Sequence, residues 1–131
     1  MSQAVSSVPE RPAVVVVDDD RAVLNSLKFA LEIEGFAVST YRSGEEFLAG
    51  ASLPQSDCLV LDYHLPGVNG LAVIDELRRR QINMPAILIT TNPPFALRQR
   101  AAAAGLALVE KPLLGNTLSE AIHMALEPAS H

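Results

Sequence analysis

The sequence has 131 residues and a formal net charge of −5, from 10 lysines and arginines against 15 acids. This length fits one domain, and the acidic balance argues against binding nucleic acid through a broad basic surface. A single cysteine excludes an intrachain disulfide framework, and the absence of a signal peptide or a long apolar run predicts a cytoplasmic protein with no membrane partner.

Short apolar strands and amphipathic helices alternate five times along the chain. Apolar runs predict strands over 13–17, 36–40, 58–61, 85–90 and 106–109. A helix is predicted after each strand, and the sequence places helix ends near Gly35, Gly50, Arg80, Gly105 and Glu127. This alternation is typical of a parallel sheet with helices on both faces. We expect a flexible N-terminal tail over 1–11, one domain over 12–127 and a C-terminal tail over 128–131.

Three of the predicted helices begin at residues that favour helix starts. Asp20 is expected to cap the first helix. Ser43 with Glu46, and Thr117 with Glu120, match the capping box in which an N-cap hydroxyl is followed by a glutamate three residues later.

Polar side chains follow the predicted strands at their carboxyl ends, where open parallel sheets bind ligands. These residues are Asp18, Asp19, Asp62, Thr90 and Lys111. Carboxylates that converge on one edge repel one another unless a proton or a cation lies among them, and their oxygens suit Mg²⁺. Asp62 is the candidate nucleophile for a phosphoryl group, Lys111 would offset the transferred charge, and Thr90 would donate a hydrogen bond. Each residue alone has a structural explanation, but their joint occurrence at the strand ends favours a site.

Four motifs around these residues resemble the receiver domain of bacterial two-component response regulators. They are Val-Val-Val-Asp-Asp-Asp (15–20), Leu-Val-Leu-Asp-Tyr-His-Leu-Pro-Gly-Val-Asn-Gly (59–70), Ile-Leu-Ile-Thr (87–90) and Glu-Lys-Pro (110–112). The resemblance covers about residues 12–127. It implies an α/β flavodoxin-like (βα)₅ fold, a three-layer sandwich with a parallel sheet of strand order 2-1-3-4-5.

The resemblance also implies roles for individual residues. Asp62 would be phosphorylated by a sensor histidine kinase or a histidine phosphotransfer protein, with Lys111 and Thr90 contacting the phosphoryl group. Asp19 would bind Mg²⁺ directly and Asp18 largely through water, while Asp62 and the backbone carbonyl of His64 complete the protein ligands. The Lys111–Pro112 peptide would be cis.

Two further segments, Tyr-Arg-Ser-Gly-Glu-Glu-Phe-Leu (41–48) and Val-Glu-Lys-Pro (109–112), resemble the nitrogen-fixation-type subgroup. In that subgroup the receiver is commonly joined to a helix-turn-helix output domain. The sequence stops at His131, soon after the fifth predicted helix. We therefore expect a stand-alone receiver whose output comes from an unidentified downstream protein.

Several residues depart from the family pattern. Leu108 stands where an aromatic residue is usual, Thr91 stands where a very small residue is usual, and Asn92-Pro93-Pro94 stiffens the following loop. These departures predict a smaller conformational response than usual. His64 and Asn92 flank the chemistry. An exposed loop histidine is the simpler interpretation of His64, and an influence on the lifetime of the phosphoryl group is the hypothesis that we set beside it.

The leading interpretation is a phosphoacceptor switch with weak self-phosphorylation and autodephosphorylation, not a dedicated enzyme. The main alternative is a degenerate receiver that acts as a phosphorylation-independent interaction scaffold. A phosphohydrolase would need a second acid where His64 stands, and a flavin-binding domain would meet three acids where it needs a phosphate loop. Helix four, strand five and helix five are a candidate homodimer face, where Arg98, Arg100 and Glu120 are either polar contacts or solvated surface charges.

Overall fold

The computed structural model describes residues 11–50, 56–111, 113 and 116–127. Strands and helices alternate in the order β1 (Ala13–Val17), α1 (Arg21–Ile33), β2 (Ala37–Tyr41), α2 (Gly44–Leu48), β3 (Cys58–Asp62), α3 (Gly70–Arg79), β4 (Ala86–Thr90), α4 (Phe95–Ala103), β5 (Ala107–Glu110) and α5 (Thr117–Leu126). The predicted alternation is confirmed, with boundaries that differ by one or two residues. The tails predicted over 1–11 and 128–131 lie almost entirely outside the described residues, and so does Pro112 of the predicted cis peptide.

The five strands form one parallel sheet in the order β2-β1-β3-β4-β5. This is the strand order that the resemblance to receiver domains implied. Val17 at the end of β1 pairs with Leu61, and Asp62 at the end of β3 pairs with Ile89 of β4. Since neighbouring strands run in the same direction and end level, the residues that follow β1, β3, β4 and β5 meet along one edge of the sheet.

Helices cover both faces of the sheet, because alternate residues of the central strands point to opposite sides. Val15 and Leu61 belong to one buried cluster with side chains of α2, α3 and α4. Val14 and Val60 belong to a second cluster with side chains of α1 and α5. Burial of each valine or leucine contributes about 1.5–3 kcal/mol to folding. The result is the predicted three-layer sandwich, in which the central strands are apolar throughout except at their carboxyl ends.

Two of the three predicted helix caps are confirmed. The side chain of Asp20 accepts hydrogen bonds from the backbone of Ala22 and Val23. The Ser43 hydroxyl accepts from the backbone N–H of Glu46 at 3.0 Å.

The cap predicted for the fifth helix is wrong. Thr117 is the first helical residue, and the N-cap is Asn116, whose backbone carbonyl accepts the first helical hydrogen bond from Glu120 at 2.9 Å. The helix therefore starts one residue earlier than the capping-box pattern indicates. None of the helices in the described ranges has the length and apolar character needed to cross a bilayer.

Candidate functional site

Three carboxylates meet at the carboxyl edge of β1 and β3, which are neighbours in the sheet. Asp18 and Asp19 follow β1, and Asp62 is the last residue of β3. One carboxylate oxygen from each of the three residues lies within 4.8 Å of the other two. Asp18 is 2% exposed and Asp62 is 4% exposed, whereas Asp19 faces solvent. The structure thus brings together the three acids that the sequence assigned to a cation site.

The two buried carboxylates are oriented by their own loops. Oδ1 of Asp18 accepts a hydrogen bond from the backbone N–H of Asp20 at 2.9 Å. Oδ1 of Asp62 accepts from the backbone N–H of His64 at 2.8 Å. Such bonds to the second residue along the chain are characteristic of aspartates at turns. They leave the second oxygen of each carboxylate available to other groups at the site.

Lys111 occupies the second oxygen of Asp62. Its Nζ lies 2.8 Å from Oδ2 of that carboxylate, and its backbone N–H donates to the carbonyl of Thr90 at 2.8 Å. The hydrogen bond to Asp62 raises the pKa of Lys111, against a smaller lowering by burial. The lysine therefore carries a positive charge at neutral pH and holds it beside the candidate nucleophile.

The pKa of Asp18 is raised, chiefly because burial removes water from its carboxylate. Repulsion from Asp62 and Asp19 adds to this rise, while the hydrogen bond from Asp20 and the charge of Lys111 oppose it. A carboxylate in this position is stabilised in its ionised form by a nearby cation.

The donor set fits Mg²⁺. This ion takes oxygen ligands at about 2.0–2.1 Å in an octahedron, so that neighbouring ligand oxygens are about 3 Å apart and opposite ones about 4 Å apart. The oxygens of Asp18, Asp19 and Asp62 lie within 4.8 Å of one another, close to these separations. The exposure of Asp19 leaves room for the waters that Mg²⁺ retains. The role predicted for the backbone carbonyl of His64 stays a prediction.

Thr90 ends β4 with its side chain inside the site. The residue is 1% exposed, and its Oγ1 lies 3.4 Å from Nε2 of His64. The sequence predicted the hydroxyl at this edge but did not predict its contact with His64. The imidazole also meets the ring of Tyr63 edge-on, with centroids 4.9 Å apart.

Gly70 is a site residue that the sequence interpretation missed. A Cβ at this position would lie 2.9 Å from the backbone carbonyl oxygen of Asp62 and 2.8 Å from Cδ2 of Leu88. The first turn of α3 can therefore pack directly beneath the end of β3 only because residue 70 has no side chain. The sequence pattern that could have indicated this role is a glycine at the start of a helix, a few residues after a strand-end aspartate.

The residues that depart from the receiver pattern differ in burial and in backbone conformation. Leu108 is half-buried and packs against the α2–α3–α4 side of the core, and Thr91 is exposed. Asn92 has a φ of +45°, a left-handed conformation that asparagine tolerates better than most residues.

On the candidate dimer face, Arg98 forms an ion pair within the chain with Glu110, with 2.6 Å between their side-chain nitrogen and oxygen.

Cys58 lies in the core of β3, where burial raises the pKa of its thiol to about 12. The thiol is therefore protonated at neutral pH, and a protonated, buried thiol is a poor nucleophile.

The fold and this site define a receiver domain. The family model for the response regulator receiver domain matches residues 14–123, so the chain belongs to that family. It is 36% identical over 115 residues to the transcriptional regulatory protein FixJ of Rhizobium meliloti, covering 87% of this chain and 56% of that protein. It is 37% identical over 121 residues to FixJ of Azorhizobium caulinodans, covering 91% of this chain and 57% of that protein. The receiver is thus of the FixJ type.

Solved structures agree with this assignment. The crystal structure of FixJ-N has a TM-score of 0.82 at 34% identity, covering 94% of this chain and 99% of that one. A CheY-like receiver domain protein from Methanospirillum hungatei has a TM-score of 0.81 at 27% identity, covering 89% of this chain and 94% of that one. The flavodoxin-like fold is confirmed. The chain spans little more than half the length of the two FixJ proteins, and the expectation of a stand-alone receiver stays a prediction.

Proposed function

We propose that this receiver is a phosphoacceptor switch in which Asp62 takes a phosphoryl group from a phosphohistidine. The donor would be a sensor histidine kinase or a histidine phosphotransfer protein. The observation that carries the proposal is the position of Asp62, a buried carboxylate with the Lys111 ammonium 2.8 Å from one oxygen and two further acids within 4.8 Å. Such a group combines a nucleophilic oxygen with positive charge for the phosphoryl group that it receives.

In the proposed transfer, an oxygen of the Asp62 carboxylate attacks the phosphorus atom of the donor. The new O–P bond forms as the P–N bond to the donor imidazole breaks, and the electron pair stays on that nitrogen, which then takes a proton. The Lys111 ammonium shifts from the Asp62 carboxylate to an oxygen of the transferred phosphoryl group. The Thr90 hydroxyl donates a hydrogen bond to another oxygen of that group. Attack of water on the acyl phosphate releases inorganic phosphate and resets the switch.

The proposed metal ligands are the carboxylates of Asp18, Asp19 and Asp62 with the backbone carbonyl of His64. Mg²⁺ held there supplies positive charge that offsets the negative charge of the phosphoryl oxygens. The protein residues do the remaining work. Asp18 and Asp19 place the ion beside Asp62, and the hydrogen bond from the backbone of His64 fixes the rotation of the Asp62 carboxylate.

The phosphorylated receiver would act on a downstream protein. Phosphorylation would add negative charge beside Thr90 and Lys111 and would change the binding of a downstream protein at this end of the sheet. The same change would favour a homodimer through α4, β5 and α5. We place this signalling in the cytoplasm, because the FixJ relatives are transcriptional regulatory proteins.

The test is incubation with Mg²⁺ and acetyl phosphate, followed by intact mass measurement. One phosphoryl group is expected on the unaltered protein and none on Asp62→Asn. Asp57→Asn is the matched control, since Asp57 is exposed and lies at the opposite edge of the sheet beside Ala13. It should be phosphorylated like the unaltered protein. Absence of an adduct on the unaltered protein would favour the alternative function, a phosphorylation-independent interaction scaffold. The proximity of Asp62, Thr90 and Lys111 in the structure argues against that alternative.

A further inference from the structure

The Thr90 hydroxyl and the His64 imidazole form a hydrogen-bonded pair beside Asp62. Oγ1 of Thr90 and Nε2 of His64 are 3.4 Å apart. Thr90 is almost fully buried, and within the described ranges His64 is the side-chain partner of its hydroxyl. Buried hydroxyl groups donate their proton to an acceptor in most proteins. In the tautomer that carries the imidazole proton on Nδ1, Nε2 of His64 accepts the hydroxyl proton of Thr90, and we take His64 in this tautomer.

The imidazole is lightly held in this position. The backbone N–H of His64 is anchored on Asp62, but the residue is exposed to solvent, and its other ring contact among the described residues is the edge of Tyr63. The bond to Thr90 is long for a hydrogen bond that involves a hydroxyl. An exposed side chain with one long hydrogen bond can move to another rotamer at small cost in free energy.

The proposed function requires the same hydroxyl for another task, since the Thr90 hydroxyl would donate to a phosphoryl oxygen. A hydroxyl has one proton and donates it to one acceptor at a time. Resting on that function, we propose that His64 and the phosphoryl group compete for the Thr90 hydroxyl. His64 then opposes phosphorylation of Asp62, and phosphorylation releases the imidazole from Thr90. His64 is a positioning residue in this account, because it acts through Thr90.

The expected size of the effect follows from the strength of the bond that is lost. Loss of a typical neutral hydrogen bond changes an equilibrium constant by about fivefold. Because the bond is 3.4 Å long, we expect removal of the imidazole to tighten the binding of a phosphoryl mimic by about threefold.

A double-mutant cycle separates this mechanism from an effect of the histidine's bulk or charge. The dissociation constant of beryllofluoride is measured by NMR titration, in Mg²⁺, for the unaltered protein, His64→Ala, Thr90→Val and the double variant. His64→Ala should bind about threefold more tightly than the unaltered protein, and the gain should vanish when residue 90 is valine, which keeps the shape but lacks the hydroxyl. His64→Gln, whose side-chain carbonyl can accept the proton, should recover part of the weaker binding. His123→Ala is the control, since His123 lies on α5 against Phe36.

Each outcome decides between the two proposals. Equal gains with threonine and with valine at residue 90, or weaker binding by His64→Ala, would overturn the competition and leave the phosphoacceptor function intact. Failure of the unaltered protein both to bind beryllofluoride and to take a phosphoryl group on Asp62 would overturn the proposed function and the competition together.

Discussion

The ammonium of Lys111 reaches across the end of β4 to the carboxylate of Asp62, with Nζ 2.8 Å from Oδ2. The two residues are 49 positions apart in the chain. They meet because β3, β4 and β5 are parallel neighbours that end at the same edge.

Replacement of Lys111 by methionine should slow phosphorylation of Asp62 by about a hundredfold, the usual cost of losing one donor to a developing oxyanion. The rate of adduct formation from acetyl phosphate measures this effect. Lys111→Arg keeps the charge and should retain more of the rate than Lys111→Met. Equal rates in the unaltered protein and in Lys111→Met would remove Lys111 from the mechanism.

The same pair should contribute to stability in a pH-dependent way. The pKa of Lys111 is raised above 10.5 in the folded protein by the hydrogen bond to Asp62. Its contribution is therefore fully present below pH 10.5 and is lost as the pH rises through the raised value. The difference in unfolding free energy between the unaltered protein and Lys111→Met should narrow in denaturant titrations carried from pH 7 to above pH 10.5. A constant difference over that range would contradict the assignment.

Asp18→Asn should stabilise the protein at pH 7 when divalent cations are removed with a chelator. Burial raises the pKa of Asp18 above 3.8, so the folded state holds a proton there more tightly than the unfolded state. The stability contribution of Asp18 is complete below pH 3.8 and is lost as the pH rises through the folded value. Asparagine retains the acceptor for the Asp20 N–H. Removing the repulsion between the Asp18 carboxylate and its neighbours Asp19 and Asp62, whose oxygens lie within 4.8 Å, should raise the unfolding free energy by on the order of 1 kcal/mol. Urea unfolding at pH 7 and near pH 3 checks the sign, since the gain should disappear in acid.

Mg²⁺ should raise the unfolding free energy of the unaltered protein. At a concentration ten times the dissociation constant the increase is about 1.4 kcal/mol, provided that the ion binds only the folded state. Asp19→Asn should lose most of this increase and Asp57→Asn should keep it, because Asp57 lies at the other edge of the sheet. Thermal unfolding with Mg²⁺ and with chelator gives the comparison, and equal responses of the two variants would argue against the three-carboxylate site.

Gly70→Ala should destabilise the protein by about 1–3 kcal/mol, the range for forcing a methyl group into a packed space. Its Cβ would meet the carbonyl oxygen of Asp62 at 2.9 Å, so phosphorylation should slow as well. Gly105→Ala is the control, since its φ is +73° and nothing lies within 4 Å of the added Cβ. That variant should lose about 1 kcal/mol from the backbone conformation and phosphorylate at the normal rate. Denaturant unfolding and intact mass measure the two effects.

The conformational response to phosphorylation should be small over residues 90–110. Leu108 is half-buried against the core and has no aromatic ring that could change rotamer when Thr90 moves. Pro93 is buried in the loop that joins β4 to α4, and its fixed backbone angle stiffens that loop. Backbone NMR shifts with and without beryllofluoride measure this response. We expect the larger changes near Asp62, Thr90 and Lys111, and large shifts throughout 90–110 would refute the prediction.

The order of strands and helices, the three layers and the edge at which the acids gather could all be predicted from the sequence. These features depend on the period of apolar residues and on the rule that parallel strands share a carboxyl edge. Four of the five strands, β1, β3, β4 and β5, end in or are followed by a polar residue. Because parallel neighbours share their carboxyl edge, Asp18, Asp62 and Lys111 could be assigned to one site without coordinates.

Contacts that depend on loop conformation and side-chain rotamers could be seen only in the folded chain. Thr90 and His64 come from different strand ends, and no local pattern relates the hydroxyl of one to the ring of the other. Gly70 matters because the backbone of Asp62 passes within van der Waals reach of it. The start of α5 was misplaced by one residue because its first hydrogen bond is made by the carbonyl of Asn116. Such details follow from distances between distant segments, which periodicity does not encode.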